Sequence, residues 1–127
     1  MLFRSLRIDS PGGGVVPSQE IYDAVQRVRN KNNKAVIASM GTVAASGGYY
    51  IAAATDRIIA NPGTLTGSIG VIMETANVEG LLKKIGVEGV VVKSGKFKDV
   101  GSPLRKMTFE EQVLLQSVMD EIGRAHV

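Results

Sequence analysis

Residues 35–55 form an uncharged run long enough to cross a bilayer, and what that run becomes constrains the whole chain. Its content argues against a membrane span. Gly41, Ser46, Gly47 and Gly48 interrupt it, Ser39, Thr42, Tyr49 and Tyr50 add polar groups, and Lys34 and Asp56 close it on either side. An apolar run punctuated in this way reads as a buried strand from Ala35 to Met40, a tight turn through Gly41 to Ser46, and a buried small-residue helix from Gly47 to about Ala54.

The flanking sequence alternates in the same manner. Phe3 to Ile8 reads as a short strand that ends in Asp9-Ser10-Pro11-Gly12-Gly13-Gly14, a loop whose glycines permit backbone angles other residues resist. In the next segment Ile21, Ala24, Val25 and Val28 fall on one helical face, with Arg27, Arg29 and Lys31 at the end where cations suit the helix dipole. Arg57 to Ala60 is a further strand closed by the turn residues Asn61-Pro62-Gly63, and Ser68 to Met73 and Val90 to Val92 are two more. Asn77 is expected to cap a helix carrying Val78, Leu81, Leu82 and Ile85 and closed by Gly86. Thr108 and Glu111 make a capping box for a last helix with Leu115, Val118, Met119 and Ile122 at helical spacing.

Short apolar strands alternating with helices predict an α/β fold, a mostly parallel sheet flanked by helices, in a single domain over residues 1–127. A hydrophobic content of 44% is enough for a core. The first strand begins almost at residue 1 and residues 123–127 carry neither a cap nor a packing pattern, so the chain is expected to be truncated at both ends. The 15 basic and 12 acidic residues are scattered without a basic block, so no nucleic-acid partner is expected. With no cysteine, disulfides, thiolate zinc sites and cysteine nucleophiles all fall away. Met1-Leu2-Phe3-Arg4 opens no apolar stretch of the length a secretion signal needs.

Within Thr42-Val43-Ala44-Ala45-Ser46-Gly47-Gly48-Tyr49-Tyr50, Ser46 sits at a strand-to-helix junction among small neighbours. A nucleophile needs an exposed hydroxyl, and the amide after it, here that of Gly47, can donate to a developing oxyanion. The alternative is a close-packing turn in which Ser46 caps the helix. The loop Pro11-Gly12-Gly13-Gly14 also follows a strand and can bring a second amide, that of Gly13, to the same sheet edge. It lacks the Lys-Ser/Thr ending of a phosphate-binding P-loop and the spaced glycines of a dinucleotide site.

Three segments now carry a resemblance: Asp9-Ser10-Pro11-Gly12-Gly13-Gly14, Ala44-Ala45-Ser46-Gly47-Gly48-Tyr49-Tyr50, and Leu65-Thr66-Gly67-Ser68-Ile69-Gly70-Val71. Together they resemble the signature segments of the signal peptide peptidase A family, peptidase family S49, whose fold is of the Clp protease/crotonase-like type. Lys93-Ser94-Gly95-Lys96-Phe97-Lys98-Asp99, followed by Ser102-Pro103, is similar to the stretch that carries that family's catalytic lysine. The resemblance runs from Leu6 to Met119 and selects Lys98 over Lys93 and Lys96 as general base. It implies that Ser68 bonds and orients the lysine amine, although a serine in such a turn can equally bond its own backbone.

Histidine does not serve as the base on this reading. His126, the only one, lies beyond the last helical pattern, and Asn61 stands where related Clp-type peptidases resemble this segment but carry histidine. A lysine base must have its pKa lowered from about 10.4 to roughly 7–8, a cost of about 4 kcal/mol that requires an apolar, dry site. Asp99 would oppose this if it pointed the same way, so it is expected to face away and make a structural contact.

The resemblance thus implies a serine endopeptidase that degrades cleaved signal peptides and similar apolar, extended segments through an acyl-enzyme. It implies no metal or organic cofactor, a homo-oligomeric ring with Ser46 and Lys98 supplied by neighbouring subunits, and a membrane anchor outside this chain. That anchor would hold the catalytic domain on the outer side of the bacterial cytoplasmic membrane. Two other functions suit the same scaffold: a crotonase-like acyl-CoA enzyme, which needs two backbone donors but neither Ser46 nor Lys98, and a non-catalytic assembly module.

Overall fold

Strand β2 (Val36–Ala45) is the axis of the computed structural model, which describes residues 3–32 and 35–125. Strand β1 (Arg4–Ser10) runs parallel to β2 along one edge, from Arg4 opposite Val36 to Ser10 opposite Ala44. The opposite edge is shared in succession by two short parallel strands, β3 (Arg57–Ile59) against residues 37–39 and β4 (Leu65–Gly67) against residues 43–45. Helices α1 (Val15–Asn32) and α2 (Gly47–Ala53) pack on one another, and α2 packs on β1 and β2. The chain is therefore α/β, with an open parallel sheet flanked by helices, as its sequence predicts.

The core is small. Ile8, Ala38, Met40, Ala44 and Ala52 form its buried cluster, with Leu6, Tyr49 and Ile51 against it. Alanines on both β2 and α2 let helix and sheet approach closely. On α1 the inward positions are Tyr22, Ala24, Val25 and Val28, each half-buried, whereas Ile21 of the predicted face is exposed. Tyr22 stacks on Tyr50 with ring centroids 4.5 Å apart, so an aromatic contact takes the place expected of Ile21. Arg29 is more than a complement to the helix dipole. It donates to the Asp56 carboxylate at 2.8 and 3.0 Å and to the Ala54 carbonyl at 2.8 Å, while the other Asp56 oxygen accepts the Val36 amide at 2.7 Å. The Val36 amide first, and then Arg29, hold the Asp56 carboxyl below its ordinary pKa.

The segment from Gly41 to Ala45, expected as a turn, continues the strand. Three interactions carry β2 onward. The β1–β2 register slips between Ile8 and Ser10, and at that bulge Asp9 Oδ1 accepts the Val43 amide at 3.0 Å. On the other edge the hydroxyls of Thr64 and Thr66 donate to the Gly41 and Ala44 carbonyls at 2.8 and 2.7 Å. Because β2 ends at Ala45, its edge accepts only residues 65–67, and the strand expected from Ser68 to Met73 therefore forms earlier, with Ile69 and Ile72 exposed. Val90 to Val92 form no strand either. Their β-branched side chains are 83%, 46% and 95% exposed, and high strand propensity gives no strand without an edge to pair with.

The chain divides into two compact units, one running to Gly70 and the other from Val71 to Ala125. The second holds α3 (Glu79–Lys84) and α4 (Phe109–Ala125) joined by irregular chain. Asn77 lies one residue before the N-cap of α3, and its Oδ1 accepts the Glu79 amide at 2.9 Å. The capping box of α4 forms as expected, with Thr108 Oγ1 accepting the Glu111 amide at 3.2 Å and Glu111 Oε2 accepting the Thr108 amide at 2.8 Å. Leu115, Met119 and Ile122 are half-buried while Val118 is exposed, and the helix passes Ile122 and Gly123 to reach Ala125. Among the described residues of this unit Glu111 alone is buried.

The bulge yields a stability test. A methyl group on Gly41 would fall 2.5 Å from Asp9 Cγ and 2.6 Å from its Oδ2. Gly41→Ala is expected to lower stability by about 1–3 kcal/mol, read from the urea midpoint, because overpacking at this point breaks the Asp9–Val43 bond. An unchanged midpoint would mean that the bulge is not pinned there.

Candidate active site

Ser46 stands between the end of β2 and the first residue of α2 with φ 51° and ψ −122°. A serine in this region is strained, and the surroundings hold it there: its amide donates to the Gly67 carbonyl at 2.8 Å and its carbonyl accepts the Tyr50 amide at 2.9 Å. Its side chain makes no capping bond to α2, so the reading of Ser46 as a helix cap fails. The half-buried hydroxyl has no hydrogen-bond partner among the described residues.

The glycine loop after β1 closes on this turn. Gly12 adopts φ 108°, and a methyl group there would lie 2.7 Å from Ser46 Cβ and 3.0 Å from the Gly47 nitrogen. The Gly13 nitrogen lies 3.6 Å from the position a Gly47 methyl would occupy. The loop is tied internally, since Ser10 Oγ accepts the Gly12 amide at 3.2 Å and Ser18 Oγ donates to the Gly14 carbonyl at 2.8 Å. Two predicted donors, the amides of Gly13 and Gly47, are thus brought beside the Ser46 turn, and neither has an acceptor among the described residues. Unpaired, preorganised amides next to a free hydroxyl suit an acyl-transfer reaction.

Ser68 follows Gly67, the residue whose carbonyl holds the Ser46 amide. It has φ 52°, and with Ser46 it is one of two non-glycine residues at positive φ among those described. Ser68 is exposed and makes no hydrogen bond to its own backbone, so the alternative of a self-bonded turn serine has no support. Ser46, Gly13, Gly47 and Ser68 all belong to the first unit.

Lys98 belongs to the second unit, in a turn where its amide donates to the Gly95 carbonyl at 3.2 Å. Its side chain is exposed, so this chain does not enclose it in the dry surroundings a lysine base needs. Its neighbours separate it from the other lysines of the motif. Lys93 pairs with Asp99 at 2.6 Å and Lys96 with Glu110 at 2.7 Å, whereas Lys98 has no charged partner among the described residues. Asp99 makes a structural contact, as anticipated: Arg105 Nε donates to it at 2.7 Å, and Arg105 first, then Lys93, hold its carboxyl well below the usual range. His126 lies outside the described residues. Among those described, no cluster of His, Cys, Asp or Glu is placed to hold a metal ion.

Two sets of residues escaped the sequence reading. Asp9 lay inside a quoted motif, but its bond to Val43 could not be foreseen without the bulge. Arg105 and its link to Glu111 gave no sequence signal beyond the capping box itself.

The sequence model of peptidase family S49 matches residues 28–127. A Synechocystis protein whose name marks it as a protease is 51% identical over 116 residues, covering 91% of this chain and 41% of that protein. A signal peptide peptidase SppA by name, from Enterococcus faecium, is 43% identical over 111 residues, covering 87% of this chain and 32% of its own length. The chloroplastic serine protease SPPA of Arabidopsis thaliana is 40% identical over 112 residues, covering 87% of this chain and 16% of its own length. The chain therefore spans less than half the length of each of these relatives.

The loop contact distinguishes adjacent glycines. Gly12→Ala is expected to cost about 1–3 kcal/mol, because its methyl meets the Ser46 turn at an angle alanine resists. Gly13→Ala, which meets nothing within 4 Å, is expected to cost less than about 1 kcal/mol. Equal urea midpoints for the two variants would contradict the close approach.

Proposed function

This chain belongs to peptidase family S49, and from that premise we propose that it is the catalytic part of a serine peptidase in which Ser46 is the nucleophile and Lys98 the general base. The observation that carries the reading is the strained Ser46, free of any capping role, beside the two unpaired amides of Gly13 and Gly47. Ser46 Oγ attacks a peptide carbonyl while neutral Lys98 accepts its proton, and the two amides receive the developing oxyanion. The Lys98 ammonium then protonates the leaving amine. Lys98 next takes a proton from water as that water attacks the Ser46 ester, and returns it to Ser46 Oγ as the acid product leaves. Ser68, next to the carbonyl that fixes Ser46, orients the lysine amine.

Apolar, extended segments such as cleaved signal peptides are the proposed substrates, a reading supported by family membership and by the name of the Enterococcus faecium relative. We further propose a homo-oligomer in which Lys98 of one subunit serves Ser46 of another. Support comes from the exposure of Lys98, since a neighbouring subunit can supply the dry wall that its own chain lacks. No helix among the described residues is long and apolar enough to cross a membrane, and an anchor to the outer side of a bacterial cytoplasmic membrane is proposed to lie outside this chain. The crotonase-like and assembly-module readings give no account of positive φ at Ser46, which costs about 1–3 kcal/mol and persists here without a cap to justify it.

The test is made in an active full-length protein carrying this chain. Ser46→Ala, Lys98→Ala and Lys98→Arg are each expected to lower peptide cleavage by about a thousandfold or more while leaving the fold intact, because arginine stays charged and cannot accept a proton. Mixed oligomers of the Ser46→Ala and Lys98→Ala proteins are expected to regain part of the activity. Near-normal cleavage by Lys98→Arg would remove Lys98 from the mechanism, and mixed oligomers without activity would place both groups of a site on one chain.

A further inference from the structure

Lys98 lies on chain that forms neither helix nor strand, between α3 and α4. A general base acts only if held to within about half an ångström, and irregular chain does not supply that by itself. We propose that Arg105 is the positioning residue for Lys98, clamping the lysine turn to the first turn of α4 and neutralising the carboxylate beside it. The proposal rests on the reading of Lys98 as base.

The clamp is specific in its geometry. Arg105 Nε donates to Asp99 Oδ2 at 2.7 Å and Nη2 reaches the Asp99 carbonyl at 3.4 Å. On its other side Nη1 donates to Glu111 Oε2 at 2.8 Å and Nη2 bonds Glu111 Oε1. Glu111 is also the capping-box residue of α4, so the guanidinium joins the residue after Lys98 to a helix N-terminus. The opposite oxygen of Asp99 accepts Lys93 Nζ at 2.6 Å, and the same ammonium donates to the Lys96 carbonyl at 3.0 Å. Chain on both sides of Lys98 is thereby fixed, while Lys98 itself carries no such bond. The side chains of Asp99 and Glu111 are only 11% and 4% exposed, which shields these bonds from water and sets them apart from an ordinary surface ion pair.

Charge balance gives the clamp a second effect. Asp99 and Glu111 carry two negative charges and Lys93 and Arg105 two positive ones, so Asp99 does not stand as a free anion next to Lys98. The other charged groups near the cluster are Lys96, paired with Glu110 of α4, Lys83, paired with Glu79 of α3, and Lys106, whose charge also acts on Glu79. Removing Arg105 exposes an anion that favours the Lys98 ammonium. Removing the Asp99 charge leaves Lys93 and Arg105 against Glu111 alone, a net positive charge that opposes it. Activity rises with pH as Lys98 loses its proton, so the midpoint of the acid limb must move up in the first case and down in the second.

Full-length Arg105→Ala, Arg105→Lys, Asp99→Asn and Lys98→Ala proteins are compared by peptide cleavage across pH, with thermal melts as a folding control. Arg105→Ala is expected to lower kcat at least tenfold with little change in KM and to move the acid limb up by about 0.4 of a pH unit, the size expected for one charge roughly 8 Å away in water. Arg105→Lys does not restore kcat, because an ammonium cannot fork between Asp99 and Glu111. Asp99→Asn moves the limb down, and this variant alone suffices if Arg105→Ala fails to fold. A purely structural role for the cluster would move the limb in neither direction. If Lys98→Ala is inactive while the limb stays fixed or moves the same way in both variants, the positioning role is wrong. If Lys98→Ala remains active, it is the reading of the base that falls.

Discussion

The architecture turns on a backbone contact that no side chain can enter. Gly12 lies against Ser46 and the Gly47 nitrogen at a distance where one added methyl would overlap both, and Ser46 in turn is fixed at positive φ by the Gly67 carbonyl. Three sheet-edge segments therefore meet at one point: the loop after β1, the turn after β2 and the end of β4. The upstream bulge serves the same end, because Asp9 bonding Val43 across Gly41 lets β2 continue to Ala45 and present the turn at the top of the sheet. The small apolar core suits this arrangement, since alanines on β2 and α2 bring the helix start close to the strands.

The two units hold the residues proposed for catalysis by different physics. In the first, Ser46 and the amides of Gly13 and Gly47, the proposed nucleophile and oxyanion donors, are placed by backbone strain and glycine packing, and the Ser46 hydroxyl and both amides have no partner among the described residues. In the second, where no described apolar side chain is buried, an ion-pair cluster centred on Arg105 stands in for a core. Arg105 and Glu111 stabilise one another's charged forms: the Glu111 carboxyl is lowered to about 2, chiefly by its bond from Arg105. Lys98 stays outside this pairing, which suits the general-base role proposed for it.

Much of this was legible in the sequence. The alternation of apolar strands and helices, the capping box at Thr108 and Glu111, and the junction at Ser46 all rest on local chemistry, which a sequence displays directly. Strand ends were less legible because pairing decides them. The segment Gly41–Ala45 looked like a turn from its small residues, but it is a strand because β1 and β4 offer partners, while Val90–Val92 looked like a strand and has none. Ile21 had the right spacing for the core and lost its place to the Tyr22–Tyr50 stack, a tertiary preference that periodicity does not encode. At the candidate site, residue identities could be read, but the absence of a cap at Ser46 and the Arg105 clamp depend on geometry.

The most direct measurement is covalent labelling of an active full-length protein with a serine-directed phosphonate, followed by mass spectrometry to locate the adduct. A single adduct is expected, on Ser46, formed more slowly as pH falls and Lys98 becomes protonated. An adduct on any other residue, or unlabelled Ser46 in a protein whose peptide cleavage the phosphonate abolishes, would contradict it.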